Sequence, residues 1–143
     1  RIGLYDAILI KDNHLAALQE NGLSPADAVH RSREFILKTF PPSRANQMVV
    51  EIEVDSLNQL ADVLPSKPDI VLLDNMSVEE LRQAVALRRS NAPDVILEAS
   101  GGIMLENISE VAKSGVDRIS TGAPMHTSSW LDIGLDWNAV SIP

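Results

Sequence analysis

In this 143-residue chain, polar residues collect where short apolar runs finish. Lys11 closes DAILIK (6–11), Glu53 lies near the end of MVVEIEV (48–54), and Asp74 closes DIVLLD (69–74). Ser100, with Gly101 and Gly102 behind it, closes VILEAS (95–100), and Gly122 closes DRISTG (117–122). A lysine and two carboxylates supply charge for an anion, for sugar hydroxyls or for a hydrated Mg2+. The Ser-Gly-Gly stretch can bring backbone N–H groups close to an anion, with a dipole from the helix expected after it. Thr121-Gly122-Ala123 can do the same one run later. The chain has no cysteine and no G-x-S-x-G elbow, so no activated nucleophile stands out. Each residue also has a plain reading: Lys11 as a solvated lysine, Asp12 or Asn13 as a cap for a helix starting near His14, and the glycines as a turn. The joint occurrence favours a site.

The runs that carry these residues are short, β-rich and nearly continuous in apolar side chains, as parallel strands covered on both faces tend to be. Helix signals fill the intervals. Ser24-Pro25 with Asp27 gives a cap, a first-turn proline and an early acid; Ser56 with Gln59 and Ser77 with Glu80 have capping-box spacing. Val78, Leu81 and Val85 share one helical face, leaving Glu79, Arg82 and Arg88 to water. Gly115 reads as a helix stop, and His30 falls on a wet face. The alternation predicts an α/β fold of repeated βα units, whose strand carboxyl ends form the ligand-binding rim. Five strands are too few for a closed eight-stranded barrel, so the expectation is a partial, open βα barrel.

Alternation along MVVEIEV puts Glu51 and Glu53 on one face, opposite Val50, Ile52 and Val54. Glu98 and Ser100 share a face in the same way. Interior carboxylates need partners, so Glu51 and Glu98, expected one layer deeper, predict a pairing or hydrogen-bond network. Glu53 and Asp74 are expected at the mouth.

The net charge of −8 and an aromatic content of 3% argue against nucleic acid as a partner. No apolar run approaches the roughly 20 residues that cross a bilayer, so no membrane partner is expected. The lack of cysteine fits a cytoplasmic setting. The opening residue, Arg1, directly before a strand, reads as the interior of a longer polypeptide.

At its strand ends the sequence resembles the quinolinate phosphoribosyltransferase family. The matching blocks are RIGLYDAILIKDNH from Arg1, EIEVDS from Glu51, DIVLLDNM from Asp69, LEASGGI from Leu97, GVDRISTGA from Gly115 and LDIGLD from Leu131. The resemblance implies transfer of phosphoribose from phosphoribosyl pyrophosphate to quinolinate, with loss of pyrophosphate and carbon dioxide, and with Mg2+ required. It implies that residues 1–143 form the C-terminal part of an α/β-barrel catalytic domain. An N-terminal α/β sandwich domain and the first barrel strands would lie elsewhere in the same polypeptide, and the assembly would be a homodimer or larger. The family pattern makes Arg1 and Lys11 partners of the quinolinate carboxylates. It makes Glu53 and Asp74 the holders of ribose hydroxyls and Mg2+, and Ser100, Gly101 and Gly122 the grip on the 5-phosphate. Lys11, Glu53 and Asp74 are the candidate catalytic residues. Pro124 and Met125 depart from the common pattern, which leaves His126 without an assigned role. Two alternatives remain at this level: a related barrel phosphoribosyltransferase with another acceptor, and a non-catalytic scaffold piece. The piece alone is expected to be inactive.

Overall fold

The computed structural model of the chain describes residues 6–126 together with Ser129. Five parallel strands form one sheet whose spatial order is the chain order: β1 (Ala7–Ile10), β2 (Val49–Val54), β3 (Ile70–Asp74), β4 (Ile96–Ser100) and β5 (Arg118–Ile119). Every strand run read from the sequence is present, trimmed at its ends. β5 loses most, keeping only Arg118 and Ile119. Ladder-like bonds from Asp117 N–H to Leu97 O (2.9 Å) and from Ser120 N–H to Ala99 O (2.9 Å) still extend its pairing.

The register explains the two faces. Ile10, Ile52, Val71 and Leu97 pair across one row, and Val54 pairs with Leu73 in another. These side chains are buried with Leu60, Val63, Leu64, Leu81 and Val85 from the helices. Burying each such aliphatic side chain stabilises the fold by about 1.5–3 kcal/mol. Truncating the fully buried Ile52 to alanine would cost about 2–5 kcal/mol. The opposite face carries Glu51, Glu53, Leu72, Asp74, Glu98 and Ser100, all half-buried.

Helices α1 (Asp12–Gln19), α2 (Pro25–Thr39), α3 (Pro42–Ala45), α4 (Leu57–Val63), α5 (Val78–Asn91), α6 (Ile108–Lys113) and α7 (Ala123–His126) fill the connections, with a 3-10 turn at Leu64–Ser66. The three serine caps form where the spacing puts them. Ser24 Oγ accepts from Asp27 N–H, Ser77 Oγ from Glu80 N–H, and Ser56 Oγ from Gln59 N–H. Asp27 and Glu80 reciprocate to the cap N–H, whereas Gln59 reaches one residue further back, to Asp55 N–H. Gly115, at φ +93°, follows the end of α6.

Arg88 corrects the sequence reading. Its side chain is only 13% exposed and its guanidinium reaches Asp117 and the Pro93 carbonyl, so it is not a wet-face residue. His30 is exposed, as its helical position requires.

Candidate functional site

Lys11 follows β1 in extended conformation and is the N-cap of α1. Lysine has no acceptor for a helical N–H, so the compensation comes from the other direction. Nδ1 of His14 accepts the Lys11 backbone N–H at 3.0 Å. The cap expected at Asp12 or Asn13 is thus one or two residues too late, and His14 has a structural task. The arrangement leaves the Lys11 side chain 52% exposed, with its ammonium 4.0 Å from Glu53 Oε2.

Glu53 is the electrostatic centre of the rim. Burial raises its proton affinity above the ordinary carboxylate value; Lys11 opposes that shift, while Asp74 and Asp12 add to it. A cleft of about 250 Å3 opens over this carboxylate, lined by Asp12, Glu53, Asp55, Gln59 and Asp74 above Leu15. Its acidic lining suits hydroxyl donors or a cation. Glu98 lies in the same row as Glu53, across Leu72, rather than one layer deeper. Counting back from run ends treats strands as flush, but β3 and β4 extend their pairing to Asp74 and Ser100, beyond the level of Glu53. The hydrogen bond expected for Glu98 comes from Ser120 Oγ.

A second cleft, of about 510 Å3, lies over the ends of β4 and β5. It is lined by Ser100, Gly101, Gly102, Ser120, Thr121 and Gly122, and among the described residues no carboxylate lines it. The two clefts adjoin where Asp74 pairs in register with Ser100. The loops around them are tied together. Asn75 N–H donates to Ser100 O at 2.9 Å, and Thr121 Oγ1 donates to Ile103 O at 2.5 Å. Asn107 closes the glycine turn, accepting from Met104 N–H (2.9 Å) and donating to Gly102 O (3.0 Å). The helix expected directly behind the glycines starts only at Ile108, so its dipole is not at the turn. Any anion there meets the turn itself.

Among the described residues no group of three or more His, Cys, Asp or Glu forms a metal cage. Glu53 and Asp74 nonetheless line the same cleft, close enough for the Asp74 charge to raise the proton affinity of Glu53. Mg2+ characteristically takes one or two protein carboxylates, completing its shell with water and substrate phosphates, so the donor set fits a metal that arrives with a phosphorylated ligand.

The family model described as quinolinate phosphoribosyl transferase, C-terminal domain, matches residues 1–136. The chain belongs to this family. It is 43% identical over 136 residues to the nicotinate-nucleotide pyrophosphorylase (carboxylating) of Mycobacterium leprae, covering 95% of this chain and 43% of that protein. Among solved structures it is similar to nicotinate-nucleotide pyrophosphorylase from Francisella tularensis, at a TM-score of 0.68 and 40% identity. That match covers 85% of this chain and 38% of that one. NadC from Streptococcus pyogenes matches at a TM-score of 0.69 and 34% identity, over 85% and 38%. The chain therefore spans under half the length of these quinolinate phosphoribosyltransferase-family relatives.

Within this family member, Lys11, Glu53, Asp74, Ser100, Gly101 and Gly122 stand at the carboxyl ends of five adjacent strands, on one rim. Arg1 and the LDIGLD block lie outside the described residues, and α7 ends on His126. Sequence reasoning missed Asn75 and Asn107, and although it named Thr121 in the second anion-binding stretch it did not foresee the Thr121 bond to Ile103 O. For Asn75 a signal existed, since asparagine directly after a strand often marks a left-handed turn.

Proposed function

We propose that this chain supplies the sugar-phosphate half of a site that transfers phosphoribose from phosphoribosyl pyrophosphate to quinolinate, with decarboxylation to nicotinate mononucleotide. The observation that carries the reading is the pair of adjoining clefts along a single strand-end rim, one acidic and one lined, among the described residues, by Ser, Thr and Gly without a carboxylate. A phosphorylated ribose has that division of chemistry: hydroxyls that donate to carboxylates, and a phosphate that needs N–H and hydroxyl donors. Glu53 and Asp74 take the ribose hydroxyls, while Ser100, Gly101 and Gly122 take the 5-phosphate. Lys11 pairs with a quinolinate carboxylate, and Arg1 does the same in this reading.

As the bond between the anomeric carbon and pyrophosphate lengthens, positive charge grows on the sugar, and the carboxyl groups of Glu53 and Asp74 stabilise it electrostatically. The quinolinate ring nitrogen forms the new bond to that carbon. The resulting pyridinium accepts the electron pair released when carbon dioxide leaves, and a proton takes its place. Lys11 serves twice in this scheme, holding the acceptor and opposing the rise in proton affinity that burial gives Glu53. Mg2+, held by Glu53 and Asp74 together with the ligand's phosphates, would neutralise charge on the departing pyrophosphate. Activity then belongs to a polypeptide of the relatives' length, working in the cytosol as at least a dimer.

The test is release of labelled carbon dioxide from quinolinate by the complete polypeptide that carries this chain. Release should require both phosphoribosyl pyrophosphate and Mg2+. A folded protein that releases none, or releases it without the donor, sinks the reading.

A further inference from the structure

Asn75 is bonded to a residue of each cleft, Asp74 and Ser100, and has no role in the scheme above. Its backbone is left-handed, at φ +53°, a conformation asparagine tolerates better than most residues. From that turn its polar groups reach in two directions. Nδ2 donates to Asp74 Oδ2 at 2.8 Å, and the backbone N–H donates to Ser100 O at 2.9 Å. The carboxamide also faces Gly101, itself at φ +85°. A Cβ built there would lie 2.6 Å from Asn75 Cγ, 2.8 Å from its backbone N, and closer still to Oδ1. Gly101 is therefore glycine for two reasons: its backbone angle, and the room Asn75 takes.

We propose that Asn75 is a positioning residue of the sugar-phosphate site, fixing the Asp74 carboxylate relative to the Ser100-Gly101-Gly102 turn. The inference rests on the reading of Asp74 as a holder of ribose hydroxyls. A carboxylate at a strand end turns freely, because its terminal torsion has broad wells. With Oδ2 held by Asn75, rotation stops and the remaining lone pairs keep one direction. The regular β3–β4 pairing ends at Asp74 and Ser100, and the Asn75 N–H to Ser100 O bond carries it one step further. The hydroxyl-binding and phosphate-binding ends are thus held at one separation before any ligand arrives. That lowers the ordering cost of binding a ligand that spans both. Asn75 itself touches no substrate and acts through Asp74.

A double-mutant cycle tests this on the complete polypeptide, with ribose 5-phosphate as the titrated probe in the presence of Mg2+. Asn75→Gly keeps the left-handed turn and removes the carboxamide. It should weaken binding by about fivefold to tenfold in the parent, and by less than about twofold in an Asp74→Ala background. Asn75→Ala, which is neutral and also lacks the carboxamide, should behave the same way and serves if the glycine variant does not fold. A loss acting only through general destabilisation would appear equally in both backgrounds. Equal losses, or unchanged binding by the Asn75 variants, overturn the positioning role alone. A folded parent that binds no ribose 5-phosphate overturns the functional reading, and this role with it.

Discussion

Asp69 and Asp117 repeat one arrangement at the amino-terminal ends of two strands. Each donates its backbone N–H to a neighbouring-strand carbonyl, Val50 O at 3.0 Å and Leu97 O at 2.9 Å. Each then accepts with Oδ2 the N–H of that same residue, at 2.7 Å from Val50 and 2.8 Å from Leu97. An arginine from a helix holds each carboxylate: Arg33 at 2.8 Å and Arg88 at 3.2 Å. These clamps sit at the end of the sheet opposite the rim. Asp117→Ala should therefore lower unfolding stability by about 1–3 kcal/mol in denaturant titrations, because it strands an N–H and a guanidinium. Ribose 5-phosphate affinity of the remaining folded protein should stay within about twofold.

Glu53 carries the opposite trade. Its folded-state proton affinity is raised, chiefly by burial, so the ionised form opposes folding once the pH exceeds the ordinary value of 4.5. Glu53→Gln should raise the melting temperature at pH 7. That advantage should shrink as the pH falls and the parent's carboxyl takes up its proton. The same variant should lose ribose 5-phosphate binding by at least about tenfold. A melting temperature that drops at neutral pH would contradict the sign.

Gly101→Ala places a methyl group against Asn75 on a left-handed backbone. The change should cost about 1–3 kcal/mol of stability, measured by denaturant titration. It should also abolish the chemical-shift response of the 100–102 turn to inorganic phosphate.

Asp74→Ala should impair phosphoribosyl pyrophosphate binding far more than quinolinate binding. Separate calorimetric titrations give the comparison, and equal losses would contradict the assigned division of roles.

The reciprocal caps on α2 and α5 respond to acid. Hydrogen bonds to the Ser24 backbone and side chain lower the proton affinity of Asp27, and those to the Ser77 side chain and backbone do the same for Glu80. Depressed carboxyls contribute stability above their unfolded values of 3.8 and 4.5 and lose it as the pH falls through the folded values. Circular dichroism should show helix loss on acidification, and a Ser77→Ala variant should already lack the α5 share at pH 7.

What the sequence disclosed follows from how local each determinant is. The serine caps on Ser24, Ser56 and Ser77 depend on residues three apart, and all three form. The strand runs depend on apolar continuity, and all five appear. Glu98 was misplaced because its level depends on pairing between β3 and β4, which no single run encodes. Arg88 was misread because a helical wheel cannot show that Asp117 lies across from it. Asn75 escaped notice, and so did the Thr121 side chain's part, because their work lies in bonds to Ser100 and Ile103, in other loops. The rim itself was legible through the family blocks, with Lys11, Glu53, Asp74, Ser100, Gly101 and Gly122 all at strand ends.

The strand order has one further implication, for assembly in time. Because β1 through β5 lie side by side in the order of synthesis, each new strand docks on the one made just before it. No long-range threading is needed, and the closures involved are short on the scale of parallel sheets. A nascent chain can therefore lay down its hydrophobic sheet progressively while later residues are still being made, keeping each newly exposed edge bare only briefly.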